Sequence, residues 1–539
     1  MKKGVFSIKL KSDALHFEIM KGKKQPSGYI RNSYREDGKV KHQTVGRING
    51  LSMDQLLNLK AAFDGNVVRR EDIKISEGRE YGASALFFSL AKQIGLDKLI
   101  YSRNEPWVRN VLAMVIGRII YQGSKLALSK VPPFSCLWEI CGVLDDEIDV
   151  DKNCYDALDE LLSRQGLIQK KLAAKHITDG SVILYDITSS YFEGECNNSE
   201  IARFGYNRDK KRGKKQIVIA LICTLEGCPV AVEVFPGNTS DCTTVLPKVA
   251  EIKEKYNISN FVFVGDRGML TQKNINALDD LDTITALTHS AMKKLCEEKN
   301  VELSLFDEKT PVEVILPEEP GVRYALKKNP LRGEHERNTR LALIQKTEDD
   351  LDKIAVPKKK VEDKTLAVRA AKVFNKYKTG KYFDWDIKNG RIVYSRKHDI
   401  ISDEEKYDGL YVIRSNVSSD IMTINEVVEA YRALINVEQA FRSIKTVELE
   451  IRPLYHKTDD RIKAHVFICM LAYYLLWHFK KALKPLYFDS PGLTQNHVLE
   501  LMKSIQKVKM SVAGITTYTV AEPSETQLRI QNLVLSRPL

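Results

Sequence analysis

No two cysteines of this 539-residue chain stand in a C-x-x-C spacing; the nine lie scattered. An odd number without a framework fits a reducing compartment and argues against both disulfides and structural zinc. No apolar run is long enough for a membrane span. The longest nearly apolar stretch, residues 466–479, covers 14 residues and includes His478, where a span needs roughly 20. The N-terminal MKKGVFSIKLKSD has the charge of a secretory leader but no apolar core behind it. The ten histidines show no metal-ligand spacing. P-loop, G-x-G-x-x-G, H-E-x-x-H and G-x-S-x-G patterns are missing, as are internal repeats and low-complexity tracts. These absences describe a cytosolic globular protein without membrane partners.

What is present is size and positive charge. The length exceeds one ordinary core, so several structural units are expected. Lys+Arg 83 against Asp+Glu 71 gives +12, and the surplus is local. Residues 1–50 hold twelve Lys/Arg against four acids, two thirds of the net charge. A second basic run, RDKKRGKK, spans residues 208–215 and includes Lys210, Lys211, Arg212, Lys214 and Lys215. Such blocks are often only solvated surface, yet this concentration favours a polyanion such as nucleic acid.

Along the chain, residues 29–45 read as a β-hairpin turning at Asp37-Gly38. Residues 83–175 carry helical periodicity. Strand-like runs then alternate with helices in the order β-β-β-α-β-α-β, an α/β pattern. Residues 291–418 break it with charged helices and a hairpin at Asn389-Gly390, and helical pattern resumes at Ile424. The expected division is 1–80, a basic DNA-binding region with a β-hairpin; 81–175, helical; 176–290, the first part of an α/β core; 291–418, a mixed α/β insertion; and 419–539, the second part of the core with C-terminal helices.

Two aspartates follow strongly apolar strands: Asp186 after VILY and Asp266 after FVFVG. An ionised carboxylate there is costly unless compensated, and the carboxyl ends of such strands are where ligands bind. Either Asp alone also fits a turn cap. Two in one domain match what Mg²⁺ or Mn²⁺ requires. A third carboxylate, Glu438, lies on a helical stripe with Tyr431, Arg442 and Lys445, all within about 60° of one another at 100° per residue. The stripe reads either as a solvated face with a Glu438–Arg442 pair or as a carboxylate flanked by a phenol and cations for phosphates. On the second reading Lys445 and Arg442 face DNA rather than core.

The ordered set YDITSSYFEGE, RFGYNRDKKRGKKQ, VEVFPGNTSD, FVFVGDRGML and YRALINVEQAFRSIKT resembles bacterial insertion-sequence transposases of the DDE class. The nearest group has a long β-containing insertion before the glutamate, and the resemblance covers roughly residues 20–480. It implies an RNase H-like catalytic core in which Asp186, Asp266 and Glu438 hold two Mg²⁺ ions, with Mn²⁺ as substitute. The implied partners are double-stranded DNA, as terminal inverted repeats and as target, and a second copy of the chain in a synaptic complex. Tyr431, Glu438 and Lys445 match the group's Y-x2-R-x3-E-x6-K signature, whereas Leu434 replaces its Arg, so no hairpin end is inferred; Arg442 is the candidate substitute cation. An RNase H-like nuclease or resolvase, and a non-catalytic DNA-binding regulator, are the alternatives.

Overall fold

The computed structural model describes residues 15–21, 25–65, 73–144, 148–209, 211–278, 280–298, 310–355, 361–512 and 515–535. Two compact units emerge: Met1–Gly82 with Lys503–Ser524, and Ala83–Met502 with Glu525–Leu539.

In the first unit, β1 (Leu15–Met20), β2 (Ser27–Glu36) and β3 (Lys39–Ile48) form an antiparallel sheet. Asp37 and Gly38, at φ 53° and 77°, make the mirror-image turn that suits a twisted hairpin. The helix Met53–Phe63 starts with a Ser52/Gln55 capping box and buries Leu56 beside Phe17 over Gly28, where a Cβ would lie 2.3 Å from the Phe17 ring. A second sheet joins β4 (Ile73–Glu80) to a hairpin of β15 (Gln506–Val512) and β16 (Ile515–Val520). The C-terminal region was expected to be helical; the alternating, β-branched QKVKMSV and ITTYTV instead supply strands.

The second unit is built on an eight-stranded sheet. Its strands are β5 (Ser181–Tyr191), β6 (Gln216–Thr224), β7 (Pro229–Pro236), β8 (Phe261–Gly265), β9 (Asp282–Ala286), β10 (Val312–Leu316), β11 (Glu319–Lys328) and β14 (Leu410–Ser415), in spatial order β10-β11-β14-β9-β8-β5-β6-β7. β5, β8 and β9 run parallel and the remaining pairs antiparallel. Five of the sheet's eight strands, β5 to β9, are the expected meander with crossovers. The other edge comes from within residues 291–418, so that stretch extends the sheet rather than standing wholly apart. A separate core forms beyond β11: the helices Pro330–Ala355 and Asp363–Tyr377 and the hairpin of β12 (Phe383–Lys388) and β13 (Arg391–Arg396) enclose Ile344, Leu351, Leu366, Phe374, Phe383 and Ile392.

Helices before the sheet pack with the last long one. Pro106–Ile120 is buried almost all round and lies against Asp459–Asp489. The latter helix is long and apolar enough to cross a membrane, but 89% of its apolar window is buried inside the molecule, so it is a core helix.

Candidate functional site

The site follows from strand register. β5 and β8 are parallel neighbours with Tyr185 opposite Gly265, so the next residues, Asp186 and Asp266, stand side by side on strands about 4.8 Å apart. Asp186 does not end its strand as its apolar lead-in suggests. β5 continues through the buried Thr188, Ser189 and Ser190 to Tyr191, which places Asp186 in mid-sheet. Asp266 does begin a turn, but its main-chain carbonyl takes the turn bonds from the N–H groups of Met269 and Leu270. Its carboxylate is thereby left for the cleft.

Glu438 arrives from the helix Leu434–Arg442, which packs against β5. The helical pattern from Ile424 onward is not one continuous helix. It divides at Ala433 into Ile424–Arg432 and Leu434–Arg442 and ends in a π-helical turn, Ser443–Val447. Asp186, Asp266, Glu438 and Tyr431 line one cleft of about 500 Å³.

Electrostatics within the trio are those of crowded carboxylates. Burial, then the Asp266 and Glu438 charges, push the Asp186 carboxyl up to about 7, against the pull of the Ile187 N–H. That N–H donates to Oδ1 of Asp186 at 2.7 Å, and the Arg267 N–H donates to Oδ1 of Asp266 at 2.7 Å. Among the described residues Glu438 has no hydrogen-bonding or ion-pairing partner. Three hard oxygen donors with lone pairs to spare, gathered on one cleft, fit a divalent cation. Burial, with the same acids, pushes the Tyr431 phenol up to about 12.

A family model described as a transposase DDE domain matches residues 177–475. The chain belongs to this family. No curated protein matched it. The mixed sheet with helices is the fold expected of an RNase H-like DDE domain, and DDE transposases generally use divalent metals.

In this transposase the stripe around Glu438 splits between two depressions. Tyr431 and Leu434 face the cleft with the acids. Arg442 and Lys445 line a second groove of about 370 Å³, which Asp186 and Glu438 also border. Arg442 therefore does not fill the place of the signature Arg beside Leu434; the guanidinium groups lining Leu434's cleft are Arg267, Arg332 and Arg432. Nor is there a Glu438–Arg442 ion pair among the described residues. Arg332 and the neighbouring Tyr407 and Tyr411 come from residues 291–418, which thus wall the cleft.

Lys445 corrects an expectation. It is 8% exposed, and its Nζ donates to Asp209 Oδ1 at 2.6 Å and to Thr188 Oγ1 at 3.0 Å. Burial lowers its proton affinity, against the opposing effect of Asp209. A basic residue on a polar stripe reads as solvent-facing, but the π-helical turn rotates this one onto β5.

The basic run is likewise partly internal. Lys214 pairs with Glu193 at 2.7 Å, and Lys215 donates to the Cys196 carbonyl at 3.2 Å. Lys211 stands over the Tyr191 ring and Arg212 is exposed; Lys210 lies outside the described residues. Sequence reading missed Arg208, which pairs with Asp241 and borders the second groove, and Arg452, which pairs with Asp209. Arg208 was visible as the first letter of the basic run. Arg452 had no local signal.

Proposed function

We propose that this chain binds the terminal inverted repeats of an insertion sequence, cuts at the element ends and joins the freed 3′-OH to target DNA. Asp186, Asp266 and Glu438 would hold the divalent ions, Mg²⁺ with Mn²⁺ as substitute, and two copies would act together on paired ends. One observation carries the reading: register sets two aspartates of adjacent parallel strands side by side, and an independent helix brings to the same cleft a glutamate with no partner among the described residues. Bound there, a pair of divalent ions supplies activation of the attacking oxygen and stabilisation of the leaving one.

The protein's own residues orient the DNA. Arg442 presents a cation on one side of the carboxylates and Arg267 on the other, while Arg208 and Arg332, which border the same grooves, are held in ion pairs with Asp241 and Glu336. A phosphodiester entering between them meets positive charge on both flanks, which positions the strand without reading its sequence. Tyr431, its phenol kept protonated, can donate to a phosphate oxygen beside Glu438. Because one phosphodiester replaces another in the joining step, no nucleotide hydrolysis is needed.

The test is a labelled duplex of the element end with its flanking DNA, incubated with protein, plasmid and Mn²⁺ and resolved on a denaturing gel. Cleavage at the element boundary followed by transfer of label to plasmid supports the proposal. Cleavage without transfer indicates a nuclease, and binding without cleavage a regulator.

A further inference from the structure

A second chemistry-bearing cluster lies away from the acidic cleft and shares no lining residue with it. His176 ends the helix Gln165–His176, Cys228 sits in the β6–β7 turn, and His478 projects from Asp459–Asp489. One donor atom from each lies within 4.8 Å of the other two. We propose that His176, Cys228 and His478 form a binding site for a transition-metal ion of the zinc class.

Three observations support this beyond proximity. His478 is 4% exposed, and both its ring nitrogens are buried without any hydrogen-bond partner among the described residues. Buried polar groups are normally satisfied, so an imidazole with two idle nitrogens beside a thiol calls for a ligand. The Tyr474 hydroxyl lies 2.9 Å from Nε2 of His176, the kind of outer contact that fixes a ligating ring. All three residues also open on a cavity of about 830 Å³ bordered by Glu226, Trp477 and Lys481, which leaves room for water at a fourth position. A thiolate and two imidazoles select Zn²⁺ or Co²⁺ over the hard ions suited to carboxylates. Metal–ligand bonds of roughly 2.0–2.3 Å require the donors to draw in by about an ångström. On binding, the Cys228 sulfur releases its proton to solvent as the sulfur–metal bond forms.

Such an ion would clamp the β6–β7 turn to two helices. The same turn seats the glutamate helix: Asn436 donates to the Leu225 carbonyl at 2.8 Å, two residues before Glu438. The site is therefore placed to hold the third carboxylate's helix in position without touching DNA.

The full-length protein, stripped with chelator, is titrated with Co²⁺ alone and then with Zn²⁺. One equivalent of Co²⁺ is expected to produce visible d–d absorption and a near-ultraviolet thiolate charge-transfer band, both lost as Zn²⁺ displaces it. Cys228→Ala is expected to abolish the charge-transfer band. His478→Gln is expected to weaken Co²⁺ binding by more than about 100-fold, since losing even an outer-shell partner can cost up to about that. The double variant Asp186→Asn/Asp266→Asn should keep the band. Natively folded wild-type protein without a thiolate band overturns the proposal, as does a band that survives in Cys228→Ala. Where a buried variant fails to fold, the wild-type titration and the half-buried His176→Gln decide.

Discussion

Asp209 sits between two cations, Nζ of Lys445 at 2.6 Å and the Arg452 guanidinium, and its side chain is 6% exposed. Removing the anion leaves two positive charges facing each other with little water, whereas removing Lys445 leaves Asp209 still paired with Arg452. Breaking a buried pair by deleting one member costs roughly 3–5 kcal/mol. Asp209→Ala should therefore lower stability by about 3 kcal/mol or more, and Lys445→Ala by about 1–2 kcal/mol; urea midpoints of the two variants measure the order. Equal, near-zero losses would mean that Lys445 is exposed after all. The carboxylates behave in the opposite way, because their mutual repulsion is relieved by neutralisation. Asp186→Asn, Asp266→Asn and Glu438→Gln should each reduce strand transfer at least about a hundredfold, the scale on which single transition-state contacts act. DNA affinity by fluorescence anisotropy should stay within a few-fold. A variant of any of the three that still joins DNA at near-normal rate removes that residue from the proposed site.

At the scale of elements, the β6–β7 turn and the glutamate helix depend on a glycine. Gly227 has φ +83°, and a Cβ on it would stand 2.9 Å from the Asn436 Cβ. Gly227→Ala combines left-handed strain of roughly 1–2 kcal/mol with a clash against the Asn436 Cβ, which rotamer change cannot move, so that the helix must shift to relieve it. A loss of about 2 kcal/mol in the denaturant midpoint is expected, with strand transfer falling further than stability alone explains. Asn436→Ala, which deletes the hydrogen bond without the clash, should cost about 1 kcal/mol. Transfer unaffected in a folded Gly227→Ala protein would show that the turn does not set the helix. Much of this architecture was legible beforehand. Apolar runs marked β5 and β8, and Asp37-Gly38 and Asn389-Gly390 marked hairpins, because these signals are local in the chain. The break at Ala433 and the π-helical turn were not legible, since helical periodicity continues through both. The placement of β10, β11 and β14 in the central sheet was hidden for another reason: pairing between strands distant in sequence leaves no periodic trace. The same holds for His176, Cys228 and His478, whose spacing in the chain resembles no metal motif.

For the whole molecule, the question is where the surplus positive charge acts. Composition located it in the first fifty residues, and the described part of that stretch shows which charges are available. Arg31 pairs with Glu18 at 2.9 Å and Lys41 with Glu36 at 2.7 Å, so these contribute little net field. Arg35 and Lys39 are exposed beside the hairpin turn and Arg47 lies over the Tyr29 ring, all three with no ion-pairing partner among the described residues. For each phosphate that is no longer neutralised by a cation, the slope of log affinity against log salt should fall by about 0.9. The triple variant Arg35→Ala/Lys39→Ala/Arg47→Ala should thus flatten the slope for duplex ends by about two to three and weaken binding most at low salt. The counterpart Lys211→Ala/Arg212→Ala/Arg442→Ala removes exposed cations of the unit that carries the carboxylates. It should change the slope too, but also slow cleavage of DNA already bound, since Arg442 borders the groove that Asp186 and Glu438 share. Anisotropy titrations across a salt series, paired with single-turnover cleavage at saturating protein, separate the two effects. If the first triple variant leaves the slope unchanged while the second abolishes it, the hairpin is solvated surface and end recognition belongs to the catalytic unit alone.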